Sequence, residues 1–219
     1  MRYVALDFET GNASPLSACA LGVSVFEDAA LVREQVSLIR PPDGVGKFHW
    51  GNVRVNHIKE KMVADAPRFD AVWRTVAEDA EGSVLVCHNA MFDTAVLCAC
   101  LAHFHLPVPE CRYVCTVKVS QRVWPELENH KLDTVSEALG IPLNHHEAGS
   151  DARAAGLILQ AALRRTDSAD ADELAQKIGM RLGRISCMGT APCSIAKEVR
   201  GGKNCRSSRY TSHKGEETL

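Results

Sequence analysis

The chain reads as an α/β layer fold built on a mixed sheet, and three observations predict it. Three apolar, strand-like segments come first: Tyr3 to Phe8, Ala18 to Phe26 and Leu31 to Ile39. Short apolar runs then alternate with segments of helical spacing. A long Ala/Leu stretch follows. Strands in succession, then alternating helices and strands, call for a sheet covered by helices.

The elements can be justified in order. Asn12 to Ser17 is turn-rich, and Glu27 to Ala30 is short enough for a hairpin, so the early sheet is an antiparallel meander. Arg40 to Asn52 carries Pro41, Pro42 and three glycines and reads as a loop. Phe69, Val72, Trp73 and Val76 predict a helix over Pro67 to Glu81. Ser83 to Cys87 is a short buried strand, Phe92 to Phe104 an apolar helix, and Tyr113 to Thr116 another strand. Leu132, Val135 and Leu139 mark a helix stopped by Gly140 and Pro142. Asp151 to Arg164 is a long helix. Asp167 to Asp172 reads as a hinge between a main domain, residues 1–166, and an extension, residues 167–219. That extension begins with an amphipathic helix reaching about Leu182 and ends in a tail disordered over its last 15 or so residues.

Composition narrows the function classes. The 219 residues are 46% hydrophobic with a net charge of −2, enough for a core and too neutral for binding nucleic acid by bulk charge. The average hides an asymmetry. Residues 1–166 hold 16 Lys+Arg against 20 Asp+Glu, whereas residues 177–219 hold 9 against 3. The basic segment is either a solubilising tail or a phosphate-contacting one. No h-region follows Arg2 and no window approaches a membrane span. Nine cysteines, several in apolar runs, point to free thiols in a reducing cytoplasm. Cys187, Cys193, Cys205 and His213 lack the Cys-x-x-Cys spacing of a zinc site.

Chemistry concentrates in three places. Asp7 and Glu9, in Asp7-Phe8-Glu9-Thr10, lie two apart at the end of the first strand and so project from one face. Two close carboxylates near a core are costly unless a cation lies between them, and a hard divalent ion suits oxygen ligands. A solvated strand end is the plain alternative. Asp93, in His88-Asn89-Ala90-Met91-Phe92-Asp93, falls in the first turn of a helix just past a buried strand. It is either a ligand or a dipole-favoured acid. Asp151 opens the Ala-rich helix, with His146 five residues earlier. Asp151 could be an N-cap and His146 a loop histidine.

Taken jointly, Asp-x-Glu, His-Asn-x-x-Phe-Asp and His-x-Ala-x-x-Asp occur in order, and the set resembles the DEDDh (DnaQ-like) 3′→5′ exonucleases, the family of the proofreading subunit of bacterial replicative polymerase. The resemblance covers residues 2–164 or so. The other branch of the family has a tyrosine four residues before the last Asp, where this chain has Glu147. The resemblance implies a ribonuclease-H-like fold and metal-dependent hydrolysis of nucleic acid from a free 3′ end, releasing nucleoside 5′-monophosphates. Asp7, Glu9, Asp93 and Asp151 would hold two divalent cations, Mg²⁺ or Mn²⁺, and His146 would be the general base. Thr10, Gly11 and Asn89 would lie against the substrate. His145 is one residue too far from Asp151 for the base and reads as solvated. Phe92 reads as core. His57-Ile58 falls where relatives often carry His-Gly-Ile. Glycine is missing here, so no base contact is assigned to His57 or Trp50. His88, His103, His105 and His130 read as structural or surface histidines.

Single-stranded DNA is the expected polymer, with RNA as the alternative because the 2′ contacts cannot be read from sequence. A polymerase or repair partner would place the activity in proofreading or repair. Two readings of other kinds remain: a non-catalytic accessory module, which predicts a missing catalytic group, and a phosphatase acting on small molecules.

Overall fold

The computed structural model describes residues 1–196. In chain order its elements are β1 (Arg2–Thr10), β2 (Ala18–Glu27), β3 (Ala30–Leu38), α1 (Trp50–Asn56), α2 (Glu60–Val63), α3 (Phe69–Trp73), α4 (Ala77–Ala80), β4 (Val84–Cys87), α5 (Met91–His103), β5 (Cys111–Cys115), α6 (Thr116–Val123), α7 (Leu132–Ala138), α8 (Ala148–Arg165), α9 (Ala171–Lys177), β6 (Met180–Arg181), β7 (Gly183–Ser186), β8 (Gly189–Ala191) and β9 (Ser194–Ile195).

Seven strands form one sheet in the order β3-β2-β1-β4-β5-β7-β8. β1, β2 and β3 are the antiparallel meander, and β4 and β5 run parallel to β1. Asp28 and Ala29 both have positive φ, the two-residue turn whose twist matches the strands it joins. Because β1 and β4 are parallel, their C-terminal ends lie on the same edge, where ligands of open sheets collect.

The long helix α8 crosses β1 and β2 at close range. A Cβ on Gly22 would fall 1.9 Å from the Ala148 carbonyl oxygen, and one on Gly156 2.2 Å from the Phe26 ring. Only the missing side chains let the helix sit this low, and this seats its first turn beside Asp7, which pairs with Gly22 across the ladder.

The structure departs from the sequence reading in short elements. The helix expected over Pro67 to Glu81 is two pieces, α3 and α4. The Thr75 hydroxyl donates to the Val72 carbonyl at 2.8 Å and competes with the helical ladder between them. The Arg40 to Asn52 loop ends early, because α1 starts at Trp50. Helices α2 and α6 lie in stretches assigned to no helix. α9 stops at Lys177 instead of reaching Leu182, since Gly179 turns the chain with φ +65°. β7 then pairs with β5 and widens the main sheet. The disordered tail expected over the last residues, with Cys205 and His213, lies outside the described residues.

Candidate active site

Asp7 and Glu9 project from one face of β1, each half-buried between fully buried neighbours. Asp93 comes from the first turn of α5 and is 2% exposed. Its Oδ1 accepts from the Phe8 N–H at 3.0 Å, which ties it to β1 between the other two acids. Asp151 comes from the first turn of α8, and its Oδ2 accepts from the His146 N–H at 3.0 Å. One carboxylate oxygen from each of Asp7, Glu9 and Asp151 lies within 4.8 Å of the others.

Asp151 is not the helix cap. That role belongs to Glu147, whose carboxylate accepts from Gly149 N at 3.2 Å and Ser150 N at 2.8 Å. The cap also fixes the preceding turn, where His146 sits at φ 69°. The His146 ring stacks on His145 with centroids 3.8 Å apart. His145 is therefore not simply solvated: its Nε2 lies 3.8 Å from Asp151 Oδ2. His145, His146 and Asp151 form a second group of possible ligand atoms within 4.8 Å.

The electrostatics are those of an uncompensated acidic pocket. Burial, then the charges of Asp93, Asp151 and Glu9, hold the Asp7 carboxyl well above the usual carboxylate range. Glu9 rises to about 7, mainly by burial, against the pull of the Asn56 amide. Asp93 rises to about 7 and Asp151 to about 6, again mainly by burial. Among the described residues no Lys or Arg pairs with any of the four. Asp93 Oδ2 and Asp151 Oδ1 are buried without a hydrogen-bond partner. Buried carboxylate oxygens with neither donor nor cation fit a hard divalent metal, which would supply both. Burial lowers the His146 pKa, keeping its ring neutral and able to accept a proton.

Around these groups the structure sorts the remaining expectations. Thr10 is buried, and its carbonyl accepts from two amides, Asn52 Nδ2 at 3.0 Å and Asn56 Nδ2 at 3.1 Å. Gly11 donates to Ser17 O and accepts from His49 N, so its backbone is engaged internally. Asn89 is exposed at φ 66°, a left-handed position that Asn tolerates, where it turns the chain from β4 into α5. Phe92 is not core: it is 42% exposed and lines a recess with Thr10 and Asn52. His88 is structural. Nδ1 meets the Thr116 hydroxyl at 2.8 Å, Nε2 meets His130 O at 3.1 Å, and burial lowers its pKa to about 4.

Sequence reasoning missed Asn52 and Asn56. They stand one helical turn apart on α1 and converge on a single carbonyl. The i,i+4 pair is visible in the sequence but straddles the end of a segment read as loop.

A family model described as an exonuclease matches residues 4–159. The chain belongs to the DnaQ-like 3′→5′ exonuclease family. Among similar curated proteins, a PolC-type DNA polymerase III of Caldanaerobacter subterraneus is 30% identical over 155 residues, which are 69% of this chain and 11% of the polymerase. The 3′-5′ exonuclease DinG of Bacillus subtilis is 29% identical over 161 residues, 72% of this chain and 17% of its own. The chain thus spans less than a fifth of either relative. A solved structure of Exonuclease X in complex with 5′ overhanging duplex DNA matches with TM-score 0.63 at 22% identity, over 81% of this chain and 99% of that one. Escherichia coli Exonuclease I, in complex with an oligonucleotide, matches with TM-score 0.63 at 14% identity, over 76% and 41%. At those identities the likeness carries the ribonuclease-H-like fold. The family depends on divalent metal, and the acidic cluster here is of that kind. No helix of the described residues is long and apolar enough to cross a membrane.

Proposed function

We propose that this exonuclease hydrolyses the terminal phosphodiester at a free, unpaired 3′ end of DNA and releases nucleoside 5′-monophosphates. The carrying observation is the acidic pocket: three carboxylates within 4.8 Å, a fourth tied to the same strand, and two buried oxygens without partners. Asp7, Glu9, Asp93 and Asp151 would hold two divalent cations, Mg²⁺ or Mn²⁺. When bound, such ions lower the pKa of the attacking water and offset charge on the leaving 3′ oxygen.

The chain's own groups do the rest. His146 takes the proton from the attacking water, and the Glu147 cap and Asp151 carboxylate hold its loop in place. The α1 amides hold Thr10 against the end of β1, so Glu9 keeps its aim. Exposed Phe92 borders the recess expected to take the terminal nucleotide, against Thr10 and Asn52. Likeness to a DNA polymerase favours DNA over RNA. The polymerase relative also supports a polymerase or repair partner.

The test is a gel assay on 5′-labelled single-stranded DNA and RNA, with free or blocked 3′ ends, in Mg²⁺, Mn²⁺ or EDTA. The expected result is stepwise shortening of DNA from free ends only, abolished by EDTA. Shortening of RNA alone would reassign the polymer. No shortening of either would favour the accessory-module reading, or the small-molecule phosphatase if mononucleotides are then dephosphorylated.

A further inference from the structure

Trp50 is 70% exposed, at the first residue of α1. The other two tryptophans, Trp73 and Trp124, are buried. An indole left in water forfeits a large burial gain, and here it stands on a rigid mount. The His49 N–H donates to Gly11 O at 2.7 Å, and the Phe48 ring packs where a Gly11 Cβ would be, 2.5 Å from it. Asn52 and Asn56 both donate to Thr10 O. Residues on both sides of Trp50 are thus fastened to the two residues that follow Glu9. Beside them an open recess of about 560 Å³ is lined by Asn12, Lys47, Phe48 and His49. The four carboxylates, with the cations they would hold, meet the strand only at the scissile phosphate, so the rim must grip the rest of the substrate by some other means. A flat aromatic face grips any unpaired base whatever its sequence.

We infer that Trp50 is a stacking platform for an unpaired nucleobase of the substrate strand, a short distance from the scissile nucleotide, with Lys47 in the adjoining recess for a phosphate. This rests on the exonuclease reading and adds a specificity-determining contact to it. A paired end cannot offer a free base face to Trp50, so the contact selects single-stranded or frayed ends.

The experiment measures KM and kcat on oligo-dT substrates carrying one abasic residue stepped through the last six nucleotides. With wild type, one position raises KM about 5- to 150-fold, the equivalent of ~1–3 kcal/mol for base–aromatic stacking. Trp50→Ala raises KM by a similar factor on intact DNA, more than it changes kcat, and no longer responds to that position. Trp50→Phe recovers much of the loss. Met188→Ala, which removes another exposed apolar side chain on the far edge of the sheet, leaves KM unchanged. Binding is read separately, as quenching of tryptophan fluorescence by 3′-blocked oligo-dT, absent from Trp50→Phe. Cleavage with no abasic position that separates Trp50→Ala from wild type overturns the stacking site. Quenching that depends on Trp50 but without cleavage by wild type upholds it and overturns the exonuclease reading. Neither cleavage nor quenching overturns both.

Discussion

The two ends of β1 treat acids in opposite ways. At its start, Arg2 donates to Glu27 at 2.9 Å and to Asp79, and Arg33 meets Asp79 at 2.7 Å. The N-terminal ammonium meets Asp28. Every acid in that group has a cation from the chain. Five residues along, Asp7, Glu9, Asp93 and Asp151 converge with no Lys or Arg paired to them among the described residues. The first arrangement is what folding alone favours. The second costs stability in the free protein, and the proposed function accounts for it by the cations these acids would hold. On that reading, acids that serve structure come with their cations, and acids that serve chemistry leave the cation's place open.

Exchanging one acid at each end breaks the comparison most directly. Asp7→Asn removes charge but little volume. Turnover should fall to below about 10⁻³ of wild type, because a ligand shared by the chemistry is lost. The metal-free protein should melt at a higher temperature, because a carboxylate crowded by Asp93, Asp151 and Glu9 is gone. Asp79→Asn should do the reverse, with turnover kept and stability lower by about 1–2 kcal/mol, since its partners are half in water. Activity assays and melting curves on the two variants check both signs. An active Asp7→Asn protein would reject Asp7 as a ligand.

His146→Ala should slow turnover roughly 10²–10⁴-fold, the usual range for a lost general base. Metal affinity, read by titration of Mn²⁺, should change little. His145, His146 and Asp151 also fall within ligand distance of one another, so this result sharpens the comparison. A large fall in Mn²⁺ affinity would place His146 in the metal's coordination instead of over the water.

The acidic end of β1 is legible in the sequence, and the reason is local; the ion pairs at its start are not. Asp7 and Glu9 reveal themselves by strand alternation, Asp93 and Asp151 by falling in first helical turns, and β1 to β3 by apolar runs broken at turns. What stays hidden depends on contacts far along the chain. The pairing of β7 with β5 brings residues some 70 apart together with no periodic pattern to announce it. The Asn52 and Asn56 clamp acts on a carbonyl more than 40 residues earlier. Phe92 looks like core because it is apolar at a helix start, yet the mouth of the site leaves it exposed. Four-residue helices such as α2 and α4 are too short for a 3.6-residue period to show.

Gly22 tests how closely the acids depend on packing. An alanine there places Cβ 1.9 Å from the Ala148 carbonyl oxygen, which is backbone and cannot swing aside. The first turn of α8 must move, and Asp151 and His146 move with it. Gly22→Ala should lose about 1–3 kcal/mol of stability and on the order of 10²-fold in kcat, the scale for a displacement near 1 Å. A stable but inactive protein would show that the site needs tighter placement than the fold does. Unchanged kcat would show that the acids tolerate that shift.

The smallest effect is one of pH on the metal-free protein, and its sign follows from the raised carboxyls. Glu9 and Asp93 titrate near 7 and Asp151 near 6 in the fold, against about 4 for carboxyls in the unfolded chain. A raised folded value means that the fold holds protons more tightly than the unfolded chain does. That stabilisation is complete below about pH 4 and is lost as pH climbs through 6 to 7. In EDTA the melting temperature should therefore fall as pH rises from 5 to 8, by about 2–4 °C for each kcal/mol lost in a chain of this size. Mn²⁺ should raise it more at pH 8 than at pH 5, because only the ionised acids bind metal. Asp7→Asn should flatten the slope, because it removes one of the raised carboxyls. A melting temperature in EDTA that does not fall from pH 5 to pH 8 would mean that water reaches these carboxylates well enough to replace the cation, and the two ends of β1 would then differ in geometry but not in energy.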